Sequence, residues 1–105
     1  MTSRAMFPGA STPTTPILNA GTPLGFETQG CAASVPLTGI PSGATYALVS
    51  CTGANVNWRD DGVAPTALVG NQITAGQPPI ALTNLAALKF IQQAATAALN
   101  VSFYK

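Results

Sequence analysis

Leu99-Asn100-Val101-Ser102-Phe103-Tyr104, at the end of the chain, is the stretch that decides the fold class. In an extended backbone Leu99, Val101 and Phe103 share one face, and Asn100, Ser102 and Tyr104 share the other. That period of two marks a half-buried β-strand. Asn55–Arg59 repeats it, with Val56 and Trp58 pointing one way and Asn55, Asn57 and Arg59 the other. Tyr46–Cys51 is apolar on both faces, as a central strand of a packed sandwich can be. Just before it, Ile40-Pro41-Ser42-Gly43-Ala44 supplies a turn in which Pro presets φ and Gly accepts positive φ. Phe26–Gln29, Ala32–Leu37, Gln72–Thr74 and Ile80–Leu82 are weaker strand candidates.

From residue 17 onward these segments are punctuated at short intervals by Asn19–Gly21, Gly25, Gly30, Gly39–Gly43, Thr52–Gly53, Asp60–Gly62, Gly70–Asn71 and Gly76–Pro79. Short strands between frequent breakers predict an all-β sandwich or barrel, and the fold expected for the chain as a whole is a small antiparallel β-sandwich of jelly-roll-like type. Its expected core is Leu48, Val56, Trp58, Phe90, Leu99, Val101 and Phe103. Thr83–Ala98 reads two ways. Its alanines and the spacing Leu85, Leu88, Ile91 suit a helix capped by Thr83 or Asn84. Equally, Asn84–Ala87 could form one helical turn that leads into a strand at Leu88–Gln92, though propensity alone favours the helix.

Residues 1–16, MTSRAMFPGASTPTTP, differ from the rest: they are rich in Pro, Thr and Ser and lack periodicity. They read as an extended N-terminal arm, with Met6 and Phe7 as apolar anchors on a neighbouring subunit, or as a plain terminal tail. The expected organisation is an arm over 1–16 and a sandwich domain over 17–105.

Charge is scarce. Of 105 residues only Arg4, Glu27, Arg59, Asp60, Asp61, Lys89 and Lys105 are charged, 7 % of the chain, and the net charge is +1. Ordinary soluble domains carry about 25 % charged residues. A surface this neutral suits a chain covered by partners in a homo-oligomer or larger assembly, or a compact domain kept soluble by its Thr, Ser, Asn and Gln. Four scattered cations do not form the basic patch that nucleic acid requires. The uncharged runs 28–58 and 62–88 are broken too often by Pro, Gly, Asn and Gln to read as membrane-spanning helices. Pro8, Pro13 and Pro16 interrupt the N-terminus, which therefore does not read as a signal peptide.

The same inventory points away from catalysis. There is no histidine, and Glu27, Asp60 and Asp61 are the only carboxylate side chains. Acid–base chemistry draws most often on histidine or on a carboxylate pair with separated pKa values. Asp60 and Asp61 are adjacent, so an extended backbone would aim them at opposite faces. Before Gly62 they suit a turn, and a calcium site would need more oxygen ligands. Cys31 and Cys51 have no base to activate them and read as small buried apolar residues rather than as a disulfide or zinc site. No phosphate-binding glycine motif is present. Asn100-Val101-Ser102 matches a glycosylation triplet but lies inside a strand pattern. No catalytic residue, cofactor or metal is expected.

Trp58-Arg59-Asp60-Asp61-Gly62 is the most distinctive string. One reading buries Trp58, leaves Arg59 outside and places both aspartates in a turn. The other makes Arg59, Asp60 and Asp61 part of a subunit contact, since Arg and Trp are favoured interface anchors.

Several runs together resemble small proteins encoded among the virion genes of tailed bacteriophages. They are Pro41-Ser42-Gly43-Ala44-Thr45-Tyr46-Ala47-Leu48, Val56-Asn57-Trp58-Arg59-Asp60-Asp61-Gly62, Pro65-Thr66-Ala67 with Gly70, Leu88-Lys89-Phe90-Ile91, and Leu99–Tyr104. The likeness extends from about residue 40 to the end and excludes both cysteines. It implies a β-sandwich and favours, over Thr83–Ala98, a short turn, a strand and a hairpin into Leu99–Tyr104. It further implies a virion structural protein, assembled in the host cytoplasm, with coat protein or other virion proteins as partners. The role expected first is a capsid decoration or cement protein that bridges coat subunits. A neck, tail or fibre-associated protein, including a host-surface binding module, is the alternative.

Overall fold

Eight strands, β1 (Pro23–Gly30), β2 (Val35–Pro36), β3 (Tyr46–Thr52), β4 (Val56–Arg59), β5 (Asn71–Ile73), β6 (Ile80–Leu82), β7 (Lys89–Gln92) and β8 (Ala98–Tyr104), make up the regular structure in a computed structural model that describes residues 21–105. The first sheet has the order β1-β8-β3-β6 and the second β2-β7-β4-β5, with every pairing antiparallel. The pairs β1·β8, β2·β7, β3·β6 and β4·β5 are those of one long hairpin folded over on itself, which is the jelly-roll arrangement.

The core lies between the sheets. From the first sheet come Ala47, Val49 and Cys51 of β3, Leu82 of β6, and Leu99, Val101 and Phe103 of β8. The second sheet sends in Val56, Ile73 and Phe90, and the connections add Cys31, Leu37, Leu85, Leu88 and Ala97. The alternation expected for Leu99–Tyr104 holds at every position, because β8 is flanked on both edges and buries one face only.

Two expected core residues differ. Leu48 is half-buried and lies on the outer face of the first sheet, because Ala47, Val49 and Cys51 occupy the inner one. A strand central within its sheet still has an outer face when no layer covers it. Trp58 is also half-buried: it packs against the core cluster from the rim, not from inside it.

Thr83–Ala98 contains a single 3-10 turn, Leu85–Ala87, followed by β7 and then β8. The short turn and the strand match expectation, but the hairpin does not form. β7 and β8 belong to opposite sheets, so residues 93–97 cross the sandwich. Both edges of β8 are already taken by β1 and β3, and both edges of β7 by β2 and β4. The arm over 1–16, with Met6 and Phe7, lies outside the described residues.

The connections gather at two ends. At one, Gln92 N–H donates to Cys31 O, Gly76 N–H to Cys51 O, and Gln93 N–H to Asn55 O. Gly53 lies so close to the β7–β8 connection that a Cβ there would stand 2.0 Å from Thr96 O. At the other end, Thr22 and Lys105 exchange backbone hydrogen bonds, Glu27 accepts from Gly39 N–H at 2.8 Å, and Asn84 Nδ2 donates to Asp60 O at 2.7 Å. This second end carries the Trp58–Gly62 string.

Candidate subunit-contact surface

The string leaves β4 at Arg59 and enters the loop of residues 60–70. Arg59 stands directly across from Lys89 on β7, two cations facing each other over a strand pair, which is an unfavourable placement by itself. Asp61 offsets it. Its carboxylate accepts Arg59 Nε at 3.1 Å and takes a second bond from Nη2, a two-pronged charge-assisted contact. Asp61 Oδ1 also accepts Val63 N–H at 3.3 Å and so closes a turn on its own backbone. These bonds hold the Asp61 carboxyl below its usual range and raise Arg59, the guanidinium–carboxylate hydrogen bond being the main cause in each case. Asp60 contributes through its backbone: its carbonyl is the acceptor for Asn84.

Three apolar side chains project from the same loop. Leu68 is 93 % exposed, and Val63 and Val69 are about half exposed (50 % and 53 %). Leu68 occupies the tip of a tight turn closed by Thr66 N–H to Val69 O at 2.9 Å and Val69 N–H to Thr66 O at 3.2 Å. An open groove of about 290 Å³ beside it is lined by Arg59, Asp60, Asp61, Val69, Gly70 and Asn71.

The loop is pinned from beneath by Asn57. Alternation along β4 sets Asn57 on the outer face with Asn55 and Arg59, yet it is buried. The loop folds back over it, so Asn57 Nδ2 donates to Thr66 O at 2.9 Å and its Oδ1 accepts Gln93 Nε2 at 2.7 Å. Gln93 Nε2 also reaches Gln72 Oε1 at 2.9 Å. Gly70 lets the returning chain pass: its φ is +146°, and a Cβ would stand 3.0 Å from Asn57 Cβ and 3.2 Å from Trp58 O. An alternation pattern records which way a side chain points but not what later covers it, so sequence reasoning missed Asn57.

The structure therefore brings Arg59, Asp60 and Asp61 to one loop, and it adds Val63, Leu68 and Val69, which sequence reading did not single out. Exposed leucine and valine in a glycine-rich segment carry no periodic signal. The loop presents an apolar tip, a neutralised ion pair and a groove, which can bury neutral surface against another protein. Among the described residues, no group of three or more His, Cys, Asp or Glu side chains converges to hold a metal ion. No family model, curated protein or solved structure matches this chain.

Proposed function

We propose that the chain is a non-catalytic structural component of a tailed-phage particle, a capsid decoration or cement protein that bridges neighbouring coat subunits. The observation that carries this reading is the pinned loop 60–70, whose Leu68 and flanking valines face solvent in a chain that has little charge to spend on solubility. Exposed apolar clusters rimmed by polar groups mark protein contacts. The same loop contains the end of the Trp58–Gly62 run and the Pro65–Thr66 run, two of the runs that carry the likeness to virion proteins. Jelly rolls serve viral capsids among other uses, which supports the reading by analogy of fold alone.

Copy number tests it. Purified particles should carry on the order of hundreds of copies, as a protein that repeats with the shell must. Stripping it should lower the temperature at which heads release DNA. A handful of copies per particle would move the chain to the neck, tail or fibre.

A second reading is a host-surface glycan module. Tyr46 and Tyr104 stack with ring centroids 5.3 Å apart and an interplanar angle of 11°, an aromatic surface of the kind sugars lie on. Phe103, next in the strand to Tyr104, is buried in the core and takes no part in that surface. Purified protein that fails to bind host cells would remove this reading.

A further inference from the structure

We infer that the outer face of the first sheet is a self-complementary surface that pairs with the same face of a second copy of this chain about a two-fold axis parallel to the strands. This goes beyond the virion role and does not depend on it.

The face is built from Phe26, Thr28 and Gly30 on β1, alternate residues from Ala98 to Tyr104 on β8, alternate residues from Tyr46 to Thr52 on β3, and Ala81 on β6. None is charged, and each is exposed or half-buried, with Phe26 63 % exposed. A charged partner would have to desolvate its own groups against such a face with nothing to pair them. A second copy brings no charge, and its row of side chains fits.

Register places Phe26 beside Ser102, Ser102 beside Leu48, and Leu48 beside Ala81. Read across the sheet, that row runs large, small, large, small. A two-fold axis along the strands lays the row on its own reverse, so Phe26 meets the partner's Ala81 and Leu48 meets the partner's Ser102. Within this row every large side chain then faces a small one, the condition for interdigitation between packed sheets at about 10 Å. In the next row Thr28, Asn100 and Ser50 are neighbours, and the same axis sets Asn100 against the partner's Ser50, a donor against an acceptor. At one end of the face the same axis sets Tyr104 against the partner's Tyr46, an aromatic contact in place of a large-on-small one.

Three strands of about seven residues and the three-residue β6, about 4.8 Å apart at about 3.4 Å per residue, give a face of about 400 Å² in plan. A stable complex buries about 800 Å² of each partner. The dimer is therefore of the weak, reversible class, and concentration controls it.

Sedimentation equilibrium of the full chain up to about 1 mM, with the dissociation constant as readout, tests the proposal. The wild-type chain should dimerise. Phe26→Ala, which removes the large side chain, should weaken the dimer at least about tenfold, and Ala81→Phe, which sets large against large, should do the same. The double exchange Phe26→Ala with Ala81→Phe should restore association, because each large residue again faces a small one. Both positions are exposed in the monomer, and circular dichroism on the same samples verifies that each variant is folded. A chain that stays monomeric, a dimer indifferent to either single change, or a double variant no better than the singles overturns the proposal. So does a dimer lost on deletion of residues 1–20, which would make that segment the contact. A monomeric result leaves the virion role standing, since that role is tested by copy number.

Discussion

Cys31 and Cys51 are free thiols held at 0 % and 1 % exposure, and burial is the chief reason that both resist ionisation. For Cys31 the neighbouring Cys51 adds to the effect, while for Cys51 a backbone hydrogen bond at Val56 opposes it. The consequence for stability has a definite sign. A thiol whose folded pKa lies above its unfolded value costs nothing below the unfolded value. Above it the unfolded chain ionises while the native thiol still holds its proton, so stability falls as pH rises from the unfolded value toward the folded one. Raising pH from 7 to beyond the ordinary thiol range should therefore lower the urea midpoint, and Cys31→Ala should flatten that dependence. Thiol reagents should label the native protein only as fast as it opens, a rate readable by mass spectrometry. Asn57 and Leu48 show the reverse pairing of polarity and burial. The amide is covered by a loop that satisfies it, and the leucine is left outside because β3 has already filled its inner face with Ala47, Val49 and Cys51.

Between elements, the decisive contacts are those that tie one connection to another. The β3–β4 turn and the β7–β8 crossing meet at Gly53, whose φ is +86° and whose Cα has the Thr96 carbonyl immediately beyond it. Gly53→Ala has to adopt a left-handed backbone and push that carbonyl aside. It should cost at least about 1–3 kcal/mol of stability, measured by urea denaturation. Gly62→Ala is the control: its φ is also positive, at +79°, but nothing stands within 4 Å of a Cβ there, so only the backbone cost remains. A Gly53 variant no worse than the Gly62 one would show that the two connections do not press on each other. The loop 60–70 depends on the same kind of tie: Asn57 of β4 bonds Thr66 O, Asn84 bonds Asp60 O, and Gln93 from the β7–β8 connection holds the Asn57 amide in place.

At the scale of the molecule, β8 is the strand on which the rest depends. It is the final strand, yet it lies inside the first sheet between β1 and β3 and contributes Leu99, Val101 and Phe103 to the core. Removing residues 98–105 takes from β1 its one partner strand, leaves β3 paired only with β6, and opens the core. The truncated chain should show no cooperative unfolding transition by circular dichroism, whereas a strand at a dispensable edge would leave one. The sequence by itself determined the all-β class and the half-buried character of the last strand, because both are written in the spacing of neighbouring residues, whereas over Thr83–Ala98 the same spacing suited a helix as well as the 3-10 turn that forms. The poverty of charge was equally plain, being a matter of composition. Only the tertiary structure decided that β7 and β8 part into opposite sheets, that Leu48 faces outward and Asn57 is covered, and that Leu68 stands at the tip of a pinned loop. The physical reason is one of range. A period of two separates a strand into two faces through its own backbone geometry, but which face is inner, and which strand lies alongside, is set by pairing between segments distant in the chain.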